Sequence, residues 1–488
     1  MSIQNPLIQR YKHLSPVVKA GLWFTICNFL QKGISFITVP IFTRLLTTEE
    51  YGLYSVYSSW YSILTIFATL NLSYYVFNKG LVKYEHDRDE FVISIQSLSG
   101  VVTLGLMVLY IPLRNVIYAK TGMPMALMLC MMFQLFFEPP VAYWTSRKRF
   151  EYDYRSVLIV TLSIAVINPM LGIILIKSHL FENAAIARVF SISLVAVVAG
   201  SVFAINIVKR GHKVISTKYW RYALAFNIPL IPHFLSSTIL NQADRIMIER
   251  MTTKTNAALY SVAYSAAMVC NLFSQAIQQA FLPWLYQRMS KKDYERIPQI
   301  ITAFLLFILA VLTVIICFAP EIIWVLGSSK YAEAIWVIPP VCGSVFFIFL
   351  QNMFANITYY FEKTRAIAVA SVGVAVLNII LNYIFIGKYG YIAAGYTTLF
   401  CYLIYSITHF ILMKKLCDSN GVKVQDLFDM KNIAVLSVFA ICVVFIMTII
   451  YDHVIIRYGV VLAICIAVFV KRNFVKQLIQ MLRNKTSD

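Results

Sequence analysis

Charge is what this sequence has least of. Only 13% of its 488 residues are Asp, Glu, Lys or Arg, whereas 60% are hydrophobic. That is about half the charged fraction of a soluble domain and excludes a water-soluble fold. Acid is scarcer than base, with 22 Asp and Glu against 42 Lys and Arg and a net charge of +20. The bases are scattered over short loops rather than gathered into a domain, which argues against nucleic acid as a partner. They read instead as cytoplasmic anchoring charge or as attraction to anionic head groups. No hydrophilic stretch is long enough to fold by itself. The longest break between apolar runs, roughly 414–431, could not hold a catalytic domain. Nine cysteines are present, eight of them inside apolar segments, and no Cys-x-x-Cys pair occurs. Disulfide or metal use is not expected of them; they read as small buried hydrophobes. His409 and the other histidines have no Cys or carboxylate at metal-ligand spacing,. A secretory signal is not expected, because apolar runs continue to the C-terminus.

What is present is a long series of apolar runs of about 20 residues, each enough to cross ~30 Å of hydrocarbon as a helix. Fourteen spans are expected: 17–40, 51–76, 91–112, 121–143, 156–177, 184–208, 219–241, 257–283, 298–319, 331–353, 365–387, 391–413, 432–451 and 455–473. The fourth contains Glu138-Pro139-Pro140 and the tenth Pro339-Pro340, pairs that kink or break a helix unless neighbours satisfy the freed backbone. With the N-terminus cytoplasmic, the loops, tails and adjoining span ends on that side hold 30 Lys and Arg and those on the opposite side 11, Lys32 lying within a span. The positive-inside asymmetry then puts both termini in the cytoplasm.

The chain also repeats itself. Leu53-Tyr54-Ser55-Val56 recurs as Leu259-Tyr260-Ser261-Val262, each copy following a Thr-Thr pair, Thr47-Thr48 and Thr252-Thr253. Asn168, an apolar run and Ala184-Ala185 recur as Asn378, a similar run and Ala393-Ala394. The offset of 206–210 residues pairs the first span with the seventh, both running outward. The expected architecture is all-α and membrane-integral: two pseudo-symmetric six-helix lobes, 1–213 and 214–418, with two appended helices in 419–488.

Leu377-Asn378-Ile379-Ile380-Leu381-Asn382, followed by Gly387-Lys388-Tyr389-Gly390 and Ala393-Ala394-Gly395, resembles a recurring element of bacterial polysaccharide flippases. So does the segment from Pro40 to Tyr54, PIFTRLLTTEEYGLY, and Asn241-Gln242-Ala243-Asp244-Arg245 is similar to the matching element of the second lobe. With the fourteen spans, the whole chain resembles the Wzx-type oligosaccharide flippases, relatives of multidrug extruders and of the lipid II flippase. One departure is Gly387, where the family often has Pro; it alters a turn. The resemblance implies a non-enzymatic transporter of the bacterial inner membrane. Its role would be to turn an undecaprenyl-pyrophosphate-linked oligosaccharide, of O-antigen or capsule type, from the cytoplasmic to the outer leaflet. A polysaccharide polymerase, a chain-length regulator and membrane lipids are the implied partners. No cofactor is expected, and the coupling ion, H+ or Na+, stays open.

Such cargo needs a polar cavity and cations, so polar residues inside the spans are the candidate site. Asn28 and Lys32 lie four apart on one face of the first span and map onto His233 and Ser237 of the seventh, with Asn241 extending that stripe,. Lys32 lies about 22 Å along its helix, where a lysine in hydrocarbon costs about 2.5–3.5 kcal/mol and should face water or a partner. It reads as a cation for pyrophosphate or an acidic sugar; snorkelling to the interface is the bland alternative. Gln134 and Glu138 are again four apart, and Glu138 could protonate during transport, pair with Lys32 or bond amides freed at a helix break. Asn271, Gln275, Gln278 and Gln279 form an amide face suited to sugar hydroxyls or to interhelical bonding. Asn71, Tyr74, Tyr75, Asn78 and Lys79 close the second span, the tyrosines reading as an interfacial belt or stacking platform and Lys79 as an inner-mouth cation. Arg188 joins the substrate-binding candidates. Asp244 and Arg245 read as an acid–base pair, a gate or a clamp, while Asn378 and Asn382 read as packing residues. A multidrug or cation extruder of the same fold, or a lipid II-type flippase, is the alternative; cations outnumber acids within the spans, which favours an anionic substrate.

Overall fold

The computed structural model describes residues 16–470, apart from 74 and 212. Among them every regular element is a helix. The α-helices, in chain order, are α1 (Pro16–Leu45), α2 (Thr48–Thr69), α3 (Tyr75–Lys83), α4 (Arg88–Thr121), α5 (Met125–Phe150), α6 (Tyr154–Lys177), α7 (Ala184–Arg210), α8 (Thr217–Asn227) and α9 (Ile231–Met251). They continue with α10 (Lys254–Ser290), α11 (Ile297–Cys317), α12 (Ala319–Gly327), α13 (Ile338–Tyr360), α14 (Thr364–Tyr389), α15 (Ile392–Ser419), α16 (Val424–Leu427), α17 (Met430–Ile449) and α18 (Val454–Val470). Twelve of the described helical stretches are long and apolar enough to cross a bilayer, and α18 is a shorter apolar helix. Each expected span falls mainly on helix among the described residues. The second, α2, falls outside the twelve because its sequence, TEEYGLYSVYSSWYSILTIFAT, is polar throughout its first half.

The repeated Thr-Thr pair does the same work twice. The Thr47 hydroxyl accepts the Glu50 amide at 3.2 Å, and the Glu50 carboxylate returns to the Thr47 N–H at 2.9 Å, a complete capping box,. Thr253 caps α10 through the Asn256 amide at 3.1 Å. The repeated tetrapeptide follows each cap, and Leu53, Val56, Leu259, Tyr260 and Val262 are all buried. It is scaffolding at the start of the second long helix of each repeat.

The proline pairs behave differently from each other. Pro139 and Pro140 sit inside α5, which runs through them unbroken. Pro339 and Pro340 occupy the first turn of α13, where the missing N–H is no loss, and the preceding Ser329–Val337 is a 3-10 helix,. Two expected spans are interrupted. The second stops at Thr69, because Leu70 and Asn71 adopt left-handed φ of 49°, so Asn71 and Tyr75 lie beyond the break rather than within the span. Tyr74 lies outside the described residues. The seventh is divided by a 3-10 turn at Ile228–Leu230, between α8 and α9. The Asn227 side-chain amide donates to the Leu70 carbonyl at 2.7 Å, tying one break to the other.

The chain forms two compact units, Met1–Leu235 and Ser236–Asp488, the boundary falling within α9. In the first, α5 packs most extensively on α7 and α1 on α6; in the second, α13 packs on α15 and α14 on α15. The fourth and sixth spans of each repeat are thus its tightest pair. Glycine permits the approach: a Cβ at Gly200 would stand 1.8 Å from the Phe137 carbonyl oxygen, and one at Gly395 would be 2.9 Å from the Pro340 ring,. In the second unit α17 packs on α11 and α13. The N-terminal end of α18 is held by Arg457, whose guanidinium takes both Glu321 oxygens at 2.9 and 3.0 Å and the Cys317 carbonyl at 2.6 Å.

Candidate functional site

Apolar helices that carry buried polar groups must satisfy them within the protein. Four clusters of such groups, two in each unit, hold or adjoin the candidate residues.

In the first unit Arg188 of α7 is 6% exposed. One of its terminal nitrogens donates to the Asn168 side chain at 2.6 Å and to Ser191 Oγ at 3.1 Å. Its guanidinium lies 4.1 Å from the Phe42 ring centroid on α1 and 5.6 Å from that of Tyr54 on α2. Gly172 makes the space, since a Cβ there would come within 2.9 Å of the guanidinium. No carboxylate pairs with Arg188 among the described residues; ring faces and neutral oxygens stabilise the charge.

The second cluster joins α2 to α5. Tyr57 and Tyr61 are four residues apart, as are Gln134 and Glu138, so each pair projects from one face. Tyr57 OH donates to Gln134 Oε1 at 2.9 Å, and Gln134 Nε2 donates to Glu138 Oε2 at 3.0 Å. Tyr61 OH donates to the same carboxylate oxygen. Glu138 therefore bonds neither a freed amide nor Lys32; its partners are a tyrosine and a glutamine. It remains exposed at the surface of its unit. On α1, Asn28 is half-buried and Lys32 exposed. Lys79 on α3 is exposed, with its ammonium 5.2 Å from the Phe226 ring centroid. His233, near the start of α9, is half-buried beside Phe234.

In the second unit Asp244 is 1% exposed. Its carboxylate accepts Tyr260 OH at 2.5 Å, Asn382 Nδ2 at 2.6 Å and Thr398 Oγ1 at 2.9 Å, from three different helices. Asn382 also donates to Asn378 Oδ1 at 3.3 Å and accepts the Thr397 hydroxyl. Arg245, one residue on, turns elsewhere. It donates to Ser261 Oγ at 3.2 Å, to the Asn241 carbonyl at 2.7 Å and to Gln242 Oε1 at 3.1 Å, and lies 4.4 Å from the Tyr264 ring centroid. Asp244 and Arg245 are thus no acid–base pair: successive helical residues diverge by about 100°, and each has its own neutral partners. Asn378 and Asn382 are not simple packing residues either, because their amides build the shell around Asp244. The partners at hydrogen-bond distance of Asp244 are all neutral donors. The oxygens of Asp244, Asn378, Asn382 and Thr398 are hard donors of the kind a small cation takes. No cluster of His, Cys, Asp and Glu suited to a metal ion occurs among the described residues.

The fourth cluster is smaller. Gln278 on α10 accepts the Asn356 amide at 3.0 Å, and Tyr286 OH donates to the Asn356 carbonyl at 3.2 Å. Gln275 and Gln279 are exposed and Asn271 is half-buried, and Gln278 is the member of the amide face seen bonded to α13. Asn241 accepts Tyr264 OH at 3.0 Å.

Sequence reading missed Tyr57, Tyr61, Thr397 and Thr398, and took Tyr260 only as part of a repeated element. Gly172 and Asn382 stand at the 210-residue offset that relates Asn168 to Asn378. The glycine leaves room for a guanidinium, and the asparagine bonds a carboxylate.

Comparison with known proteins agrees with this architecture. The family described as polysaccharide biosynthesis protein matches residues 17–289, more than half the chain, and the MatE family matches 229–384. A protein of the Lsg locus of Haemophilus influenzae is 28% identical over 160 residues, 31% of this chain and 38% of that protein. The "Probable low-salt glycan biosynthesis flippase Agl15" of Haloferax volcanii is 24% identical over 170 residues, 34% of this chain and 36% of that protein. The chain thus spans well under half the length of these curated relatives. Among solved structures, lipid II flippase MurJ in an inward closed conformation superposes with a TM-score of 0.70 over 93% of this chain and 100% of that one, at 14% identity, a likeness of fold. The chain belongs to the polysaccharide biosynthesis protein family, and its fold is like that of MurJ and of a MATE family transporter.

Proposed function

We propose that this protein flips undecaprenyl-pyrophosphate-linked oligosaccharide units from the cytoplasmic to the outer leaflet for cell-surface polysaccharide synthesis. The family match over residues 17–289 carries this reading. The chemistry is consistent with it. The glycan cannot cross hydrocarbon without polar partners, and this chain invests in costly polar groups on apolar helices: Arg188, Glu138, Asp244 and their shells. Membership of a transporter superfamily argues against catalysis on the glycan.

In the proposed mechanism the two repeats open alternately toward each side, and the lipid tail stays in the membrane. Lys32 and Lys79 attract the pyrophosphate; Asn28, His233, Asn241, Gln275 and Gln278 meet sugar hydroxyls; Glu138 and Arg188 set the electrostatics of the first lobe. Asp244 is the proposed ion-responsive group and Arg245 braces it through the backbone of α9. Both termini are placed in the cytoplasm. A polymerase and a chain-length regulator would receive the product.

The MatE match over residues 229–384 favours a second reading, a drug or cation extruder. One experiment separates the two. Purified protein is reconstituted into vesicles carrying a fluorescent polyprenyl-pyrophosphate glycan, and quencher accessibility reports its leaflet. Protein-dependent translocation of the glycan lipid supports the flippase. Export of a cationic dye with no movement of the glycan lipid would overturn it.

A further inference from the structure

The two short helices at one end of the first unit, α3 and α8, share a face of unusual composition. α3 buries Val76, Phe77, Gly80 and Leu81 and leaves Lys79, Val82 and Lys83 outward. α8 buries Tyr219, Ala223 and Asn227 and leaves Lys218, Arg221 and Ala225 outward. Tyr84 locks the helices together, its ring centroid 4.8 Å from Tyr219 and 5.5 Å from Tyr222. The Trp220 indole fixes α8 to α4 by donating to the Ser94 carbonyl at 2.8 Å.

On this platform the cations rest on rings. The Lys83 ammonium lies 4.5 Å from the Tyr222 centroid, and that of Lys218 lies 5.0 Å from Tyr84. Three nearby acids are engaged, Asp89 by Arg147, Glu85 by Arg88, and Asp87 loosely by Lys218 at 3.9 Å; Glu90, close enough to Tyr219 to act on it electrostatically, is the one acid beside the platform with no ion-pair partner among the described residues. Lys83, Lys213 and Arg221 have no carboxylate partner among the described residues. Beside Arg221 runs an open apolar groove of about 540 Å³, lined by Trp220, Leu224, Ala225, Ile228 and Pro229. Val214 and Ile215, in the segment leading into α8, are also exposed.

Arg221 on the groove itself, with Lys83 on a ring of the same helix and Lys213 four residues before it, suits an amphiphile with an anionic head. We propose that this face binds anionic phospholipid of the surrounding leaflet, its phosphate at Arg221, Lys213 and Lys83 and an acyl chain along α8. The cations are spread over three separate elements rather than converging on a point, which suits a layer of head groups better than a single pyrophosphate. Because Asn227 at the end of α8 bonds Leu70 at the break after α2, a lipid seated here also steadies that junction.

The test uses the full-length protein in micelles with equal phosphatidylglycerol and phosphatidylcholine, counting retained lipids by native mass spectrometry. The wild type should retain phosphatidylglycerol preferentially. Lys83→Gln/Lys213→Gln/Arg221→Gln should weaken that retention by about fivefold per cation removed. Lys291→Gln/Lys363→Gln/Lys388→Gln, with the same loss of charge elsewhere, should retain it as the wild type does. Ala225→Trp, which fills the groove without changing charge, should also lower retention. Equal retention by the first triple variant and the wild type would overturn the proposal, as would equal loss in both triples. Displacement of phosphatidylglycerol from this face by undecaprenyl pyrophosphate at lower concentration would assign the face to substrate instead. No glycan or transport enters the phospholipid measurement, so its outcome is independent of the flippase reading.

Discussion

At the residue scale the chain separates charges that its sequence sets side by side. Asp244 and Arg245 are neighbours, yet each is held by neutral groups. Asp244→Asn keeps the shape and removes the charge, so it should melt near the wild-type temperature while losing any dependence of transport on pH or sodium. Asp244→Ala strands the donors of Tyr260, Asn382 and Thr398, each costing about 1–3 kcal/mol when unmet in a buried site; a fall in Tm of several degrees should show it. An Asp244→Asn protein that kept wild-type ion dependence would remove Asp244 from the coupling role. Lys32 tests substrate binding. Lys32→Ala should abolish polysaccharide export with undiminished protein in the membrane, and full export by an abundant variant would dismiss it as a substrate cation.

At the element scale two contacts decide whether helices stay where they are. α18 exposes most of its residues, and Arg457 alone among them is buried. Its bonds to Glu321 and to the Cys317 carbonyl therefore fasten that end of the helix. Arg457→Met should lower stability by about 2–3 kcal/mol, the scale of charged hydrogen bonds, and loosen α18, seen as faster proteolysis between α17 and α18. The turn between α5 and α6 is fastened by charge. Lys148 takes Glu151 at 2.9 Å and Asp153 at 3.3 Å, and Arg147 takes Glu151 at 2.9 Å. Burial alone would raise both carboxyls. The bonds from Lys148 and Arg147 to Glu151 outweigh it, as do those from Ser156 and Lys148 to Asp153, and both carboxyls lie below their ordinary values. The unfolded chain then binds more protons in acid than the folded one. This stabilisation is complete above the ordinary carboxylate range and lost as pH falls below it. Tm should decline from about pH 5 toward pH 3, and Lys148→Met should flatten the decline.

At the scale of the whole molecule, much was legible in the sequence because a bilayer allows few solutions. Apolar length marked helices, and the repeated caps and tetrapeptide marked a duplication. Less legible was where helices stop. Leu70 is an ordinary residue in a left-handed conformation, held by an asparagine 157 positions away, and no local pattern announces that. The site was half legible. Intramembrane charges stood out, but most of their partners did not, since Tyr57, Tyr61 and Thr398 look like any polar residue of an apolar helix until the fold places them. If the cargo bears two negative charges, an inside-negative potential favours its outward passage by about 2.3 kcal/mol per charge per 100 mV. Imposing such a potential on proteoliposomes with potassium and valinomycin should shift the leaflet distribution of the glycan lipid outward, and abolishing it should reverse the shift. No response to potential would mean that the pyrophosphate travels neutralised.

Gly172 and Asn382 carry a further consequence, for exchange between the repeats. The two stand at one offset of the repeat but serve opposite charges. A Cβ at Gly172 would come within 2.9 Å of the Arg188 guanidinium, and a glycine at Asn382 would strip a donor from Asp244. Swapping the two residues would displace a cation in one unit and leave a carboxylate short of a donor in the other, so positions that correspond in sequence are not interchangeable in chemistry.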